Sequence, residues 1–261
     1  MKFESPSRLN PIEAEFESAE TTRAEVSLKL AHRLRWLGHS AWEVETAGGA
    51  RVYIDPWLSG NPVATVALSD LKPAVAVLIT HDHSDHAGDA VDVTGHTGAT
   101  LVGQPEVVRK YGNRAKERGK EIKTLGMNIG GTTRLGGIQI TMTEAYHSSE
   151  TGTPAGYILT LEDGRVVYHM GDTGLHINMS TWGELFDIDV VLIPIGDHFT
   201  MGGRQAARAL KWLKPKHAIP MHYKTAPLLA QSADELVRHA AEHAPEVAIH
   251  VLEPGETFEL A

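Results

Sequence analysis

Val75–Ala76–Val77–Leu78–Ile79–Thr80–His81–Asp82–His83–Ser84–Asp85–His86–Ala87–Gly88–Asp89 passes directly from an apolar run into three histidines and three aspartates. Five consecutive apolar residues bounded by polar chain read as a strand buried on both faces. The donor cluster behind it has few uses other than holding metal ions. His81 and His83 are two apart, so on extended chain they face the same way and grip one ion. Asp85 and His86 follow after a turn and are placed to grip a second.

Two ions need more donors than these four, and the rest of the chain offers them in a repeated position. The apolar run 138–143 leads to His147, the run 165–169 to Asp172, and the run 217–220 to His222. Each donor comes just after an apolar strand, as His81 does, and sites in α/β sheets gather at the carboxyl ends of strands. His39 sits between the first two strands, at a turn bordering the mouth of such a site, where substrate contact or proton donation is one reading and a plain turn histidine the other. Asp197 and His198 follow the apolar run 188–194, at the end suited to substrate contact. His169 lies within a strand and reads as a packed or supporting group. His32, His239, His243 and His250 read as surface residues.

Around these points the chain reads as alternating strands and helices. Leu34 and Trp36 alternate with Arg33 and Arg35, and Trp42 and Val44 with Glu43 and Glu45, the period of a half-buried antiparallel strand. Further strands are expected at 51–55, 121–125, 137–143, 156–161, 165–169 and 188–194, with Glu162–Asp163–Gly164 turning a hairpin. A closing strand pair is expected at 247–252 and 256–260. Helices are expected from Pro105 to about Arg118, from about Gly203 to Leu213 behind a Thr200 cap, and to about His243 behind a Ser232–Ala233–Asp234–Glu235 capping box. Residues 1–30 are polar and acidic and read as an N-terminal extension able to serve assembly into a homo-oligomer. Residues 31–261 read as one α/β domain of two sheets covered by helices.

Composition narrows the function classes. The formal charge of -9 argues against nucleic-acid binding over the whole surface, and the absence of cysteine excludes disulfides, thiolate ligands and a cysteine nucleophile. No apolar stretch approaches the ~20 residues of a membrane span. Met1–Lys2–Phe3–Glu4–Ser5–Pro6 lacks the pattern of a signal peptide, so a cytoplasmic location is expected. Residues 109–123 carry seven of the 24 basic residues. A phosphate handle is one reading of them, and the solvated face of a helix is the preferred one.

His81-x-His83-x-Asp85-His86, followed in order by His147, Asp172 and His222, resembles the metallo-β-lactamase superfamily. Trp36–Leu37–Gly38–His39–Ser40, Ile54–Asp55–Pro56–Trp57, Gly171–Asp172–Thr173–Gly174–Leu175, Phe199–Thr200–Met201–Gly202 and Pro220–Met221–His222–Tyr223 are similar to the UPF0173-type metal-dependent hydrolases. Those are relatives of the ascorbate-6-phosphate lactonases and the N-acylphosphatidylethanolamine phospholipases D. The resemblance implies a four-layer αββα sandwich with His81, His83 and His147 on one ion, Asp85, His86 and His222 on the other, and Asp172 between them. It implies that Asp55 braces metal ligands. It also implies hydrolysis of a small ester, lactone or phosphodiester by a metal-bound hydroxide, with Asp85 orienting the nucleophile. Zinc is the expected metal, and manganese or nickel suits the same donors. An RNA or nucleotide phosphodiesterase is a rival within the fold, but no large insertion separates Asp172 from His222. A di-iron oxidoreductase is a second rival, against which His83 stands where a carboxylate is common. A non-catalytic binding module is a third, and the intact donor set argues against it, since buried polar donors without metal are costly to keep.

Overall fold

The computed structural model describes residues 31–261, and the expected extension at 1–30 lies outside them. Period-two burial organises the chain into two mixed seven-stranded sheets. The first holds β1 (His32–Gly38), β2 (Ala41–Glu45), β3 (Arg51–Ile54), β4 (Ala76–Leu78), β5 (Thr100–Gly103), β6 (Lys123–Gly126) and β14 (Thr257–Leu260), in the order β14-β1-β2-β3-β4-β5-β6. The second holds β7 (Thr132–Leu135), β8 (Ile138–Glu144), β9 (Ala155–Thr160), β10 (Val166–His169), β11 (Val190–Pro194), β12 (His217–Met221) and β13 (Ala248–Ile249), in the order β13-β12-β11-β10-β9-β8-β7.

Alternate residues of the first sheet serve two different cores. Val52, Ile54, Ala76 and Leu78 point between the sheets, while Tyr53, Val77 and Ile79 pack outward. The outward set is covered by α1 (Ser84–Ala87), α2 (Ala90–Thr97) and α3 (Pro105–Glu117) through Ala87, Val91, Val93, Val107 and Tyr111. The second sheet is covered by α4 (Met179–Leu185), α5 (Gly203–Leu213) and α6 (Asp234–His243), whose Ala206, Leu210, Leu213 and Leu236 pack in one apolar cluster with it. This is the expected four-layer αββα sandwich, and it explains why the 75–79 run is apolar without alternation.

Several local expectations are corrected. The two C-terminal strands do not pair with each other: β13 joins β12 in parallel, and β14 joins β1 antiparallel in the other sheet. Alternation identifies a strand but carries no information on its neighbour. Helix α5 is capped at Gly202, whose N–H donates to the Gln205 side chain, while the Thr200 hydroxyl accepts from Gly196 N. Helix α6 begins at Asp234 behind Ala233, with Ser232 Oγ accepting from Asp234 N at 3.3 Å. His32 is not a surface residue. It is buried, its Nε2 lies 2.9 Å from Asp163, and its Nδ1 accepts from Ala47 N.

Several hydrogen bonds cross between the sheets beside the candidate site, among them Ala155 N to Thr80 O at 3.0 Å and one from a buried tyrosine. Tyr157 of β9 is fully buried and donates its hydroxyl to the carbonyl of Ile79 at 2.8 Å, two residues before His81. The Tyr157→Phe variant leaves that acceptor without its partner and is expected to lower unfolding free energy by about 1–3 kcal/mol. Chemical denaturation of the variant beside the wild type measures this, and an unchanged midpoint would show that this bond between the sheets adds nothing.

Candidate metal centre

Strands β1, β3 and β4 of one sheet and β8, β10 and β12 of the other all run toward one edge of the sandwich. His39, Asp55, His81, His147, Asp172 and His222 each lie one to three residues beyond the end of one of these strands. The topology therefore delivers six donors to one edge, and the loop from β4 into α1 adds His83, Asp85 and His86.

Two groups form there. One nitrogen each of His81, His83 and His147 lie within 4.8 Å of one another, as do donor atoms of His39, Asp85, His86 and His222. Asp172 stands between the groups, its Oδ2 at 2.9 Å from His222 Nε2, 3.3 Å from His86 Nε2 and 3.6 Å from His147 Nε2. Every candidate ligand named from sequence is brought to this edge, and His39 joins the second group beside them.

Buried hydrogen bonds decide which atom each ring presents. Asp55 is fully buried, accepting from Thr80 N at 2.8 Å, from the Thr80 hydroxyl at 2.6 Å and from His86 Nδ1 at 2.8 Å. With its proton committed to Asp55, the Thr80 oxygen accepts from His81 Nδ1 at 3.0 Å. Both His81 and His86 thus turn Nε2 inward, and His81 Nε2 meets His83 Nδ1 at 2.9 Å. Burial opposes ionisation of Asp55, but the His86 ring overcomes it and holds the carboxyl below its usual range. Burial and the neighbouring His86 push His81 down to about 3, which keeps its ring neutral at pH 7.

His39 is also buried, and burial together with His222 lowers it to about 4. Neutral at pH 7, it donates from Nε2 to Asp85 Oδ2 at 3.2 Å and accepts at Nδ1 from the Thr225 hydroxyl at 2.5 Å. The turn that holds it is fixed from below, where Trp36 Nε1 donates to His39 O at 2.8 Å and its ring stacks on Tyr223. Asp172 depends on a glycine. Gly171 has φ +62°, and a Cβ there would stand 2.4 Å from Ala155 O. His39, Asp55, Asp197 and His222 also hold positive φ without being glycine. Such conformations cost of order 1–3 kcal/mol each and persist where surrounding structure imposes them, as at ligand-holding sites.

Asp197 and His198 belong to neither group and lie on an exposed loop after β11, next to Gly196, which packs against His222. His169 supports the site from within, donating from Nε2 to Ser40 O and accepting at Nδ1 from Gly171 N. Two contributors, Thr80 and Thr225, were not singled out in the sequence, and Asp82 was counted only within the donor cluster. Thr80 abuts His81 and was open to notice, whereas Thr225 reaches His39 across 186 residues of chain. His176 is buried with its ring stacked on Tyr146.

The donors fit divalent metal ions. His86 Nε2 and Asp172 Oδ1 are buried with no hydrogen-bond partner among the described residues. Leaving such atoms unmatched costs about 1–3 kcal/mol each. Clustered imidazole nitrogens with carboxylates are the donor set of zinc and related ions. No helix among the described residues is long and apolar enough to cross a membrane.

Relatives agree with this geometry. Residues 33–222 match the Beta-lactamase superfamily domain. The UPF0173 metal-dependent hydrolase of Methanopyrus kandleri is 45% identical over 236 residues, covering 87% of this chain and 99% of the relative. That of Nitratidesulfovibrio vulgaris is 43% identical over 228 residues, covering 87% and 95%. The solved structure of Igni18, a metallo hydrolase from Ignicoccus hospitalis, superposes with a TM-score of 0.79 at 38% identity, covering 88% of this chain and 99% of that one. With its donors gathered at the edge of an αββα sandwich, this chain belongs to the UPF0173 metal-dependent hydrolases of the metallo-β-lactamase superfamily.

Proposed function

We propose that the chain hydrolyses a small ester, lactone or phosphodiester at a dinuclear centre. His81, His83 and His147 hold one divalent ion, Asp85, His86 and His222 hold the other, and Asp172 is shared. The observation that carries this reading is the position of Asp172 Oδ2, within 2.9–3.6 Å of nitrogens from both groups. Zinc, manganese and nickel all suit the donors. Divalent ions at such a site acidify water toward neutrality and polarise the oxygen of the bond under attack.

The chain's own residues supply orientation. Asp85 has a 38% exposed side chain, facing the solvent side of the cluster, while His39 behind it is 3% exposed. Asp85 therefore meets the reacting groups, and His39 acts through it. The His39 Nε2–H fixes one Asp85 oxygen, and the Nδ1 bond to Thr225 fixes the His39 tautomer. In this tautomer His39 Nε2 already carries the ring proton, so His39 orients the Asp85 carboxylate rather than taking a proton from it.

The loop carrying His147 is held against the His81–His83 segment by Asp82. This fully buried carboxylate accepts from Lys110 Nζ at 2.7 Å, Ser149 Oγ at 2.7 Å and Glu150 N at 2.8 Å. Burial works to raise the Asp82 carboxyl, and the hydrogen bonds from Lys110 and Ser149 overcome it, leaving it well below the usual range.

Loading purified protein with zinc, manganese or nickel and screening neutral esters, lactones and phosphodiesters tests the activity. Asp85→Ala and His83→Ala are each expected to lower kcat/KM on any hydrolysed compound by about 100-fold or more, as removal of a group acting at the reacting centre does. Full activity in both variants would contradict the site. Asp82→Asn is expected to lower stability by about 1.5–3 kcal/mol, the range for a hydrogen bond to a charged group. Because the folded carboxyl titrates below its unfolded value of about 4, this contribution is complete above that pH and fades as pH falls below it. Denaturation of wild type and variant should differ by a constant amount above pH 5 and converge in acid. A difference that persists undiminished at pH 2 would exclude the charge as its source.

A further inference from the structure

The basic segment singled out in the sequence places two cations beside the metal centre. Lys110 and Arg114 are one turn apart on α3, so they project from the same face. That face borders a groove of about 450 Å³ whose other wall includes His83, Ser84 and Asp85, with Tyr111 between the cations. The volume lies within the range of small-molecule sites, and the groove opens onto two of the candidate metal ligands.

The two cations are not equivalent. Lys110 is committed to Asp82 and Glu150, at 2.7 and 2.9 Å. Arg114 has no carboxylate partner among the described residues, and its guanidinium lies 4.9 Å from the centre of the Tyr111 ring. Three carboxylates share the groove. Asp82 is saturated by its donors, and Asp85 is engaged by His39. The third, Glu150, is 74% exposed and is paired with Lys110 at 2.9 Å, which offsets its charge. A guanidinium beside the Tyr111 ring and without a carboxylate partner among the described residues has N–H groups left for two-point contact with an oxyanion.

Resting on the hydrolase reading above, we propose that this groove is an anion subsite in which Arg114 receives a phosphate or carboxylate group of the substrate while the scissile bond lies at the histidine cluster. The substrate class is thereby narrowed to small anionic esters, lactones or phosphodiesters.

Two measurements test the subsite separately from the metal chemistry. The first is titration of chelator-stripped protein with inorganic phosphate, followed by calorimetry. Arg114→Gln is expected to weaken phosphate binding at least fivefold and Arg114→Lys to restore part of it. Arg118→Gln, whose arginine pairs with Asp92, is expected to bind like wild type. Equal binding by wild type and Arg114→Gln, or equal loss in Arg118→Gln, would overturn the subsite. The second compares the metal-loaded enzyme on an aryl ester with a carboxylate tail and on its neutral methyl-ester counterpart. The anionic-to-neutral ratio of kcat/KM is expected to fall about tenfold in Arg114→Gln, with KM carrying the change, and an unchanged ratio would overturn the subsite. If neither ester is cleaved while phosphate binding still depends on Arg114, the subsite stands and the hydrolase reading needs a different substrate.

Discussion

A single buried carboxylate organises the centre. Asp55 sits at the end of β3 with φ +46° and accepts bonds from Thr80 N, Thr80 Oγ1 and His86 Nδ1. Through the threonine hydroxyl it also determines which nitrogen of His81 is protonated. Two rings, one from each donor group, are therefore aimed by one residue. An imidazole binds a metal only through a nitrogen lone pair, so fixing the far nitrogen as N–H is a precondition for binding. The unusual backbone at Asp55 is the local cost of placing its oxygens where both partners reach them.

The same logic spreads outward. His39 and His222 lie with ring centres 4.0 Å apart, and His81 and His86 4.2 Å apart, with Asp172 among them. So many neutral or competing bases in a buried space are unfavourable alone, and the carboxylates of Asp55 and Asp172 drive His86 to hold a proton against the cost of burial. Divalent cations answer that imbalance by taking the inward lone pairs that protons otherwise occupy, which makes metal affinity fall as pH falls. Around this, the Asp82 network ties the His147 loop to the His81–His83 segment, and the Tyr157 bond ties the second sheet to the end of β4.

Most of the sandwich and the whole candidate donor set were legible because both follow from local pattern. Burial on two faces makes 75–79 continuously apolar, burial on one face makes Arg33–Trp36 and Trp42–Glu45 alternate, and the donors stand just past strand ends. What escaped reading depended on context. Helix α2 carries Val91, Val93, Thr94 and Gly95, residues of modest helix propensity, and it forms because the first sheet and α3 bury its face. The burial of His32 depends on Asp163, and the partner sheets of β13 and β14 depend on the closed sandwich, neither of which a short window contains. The roles of Asp82 and Arg114 were hidden because a charged residue on a helix or in a histidine-rich loop looks the same whether it faces water or a groove.

The most direct test of the central claim is metal binding by an Asp55→Asn variant, measured as stoichiometry and affinity against a competing chelator. Wild-type protein should bind two divalent ions per chain, and the variant, while remaining folded, should bind both about 10–100-fold more weakly, since a single carboxylate aims one ring from each group. Retention of two ions at wild-type affinity by the folded variant would contradict the account.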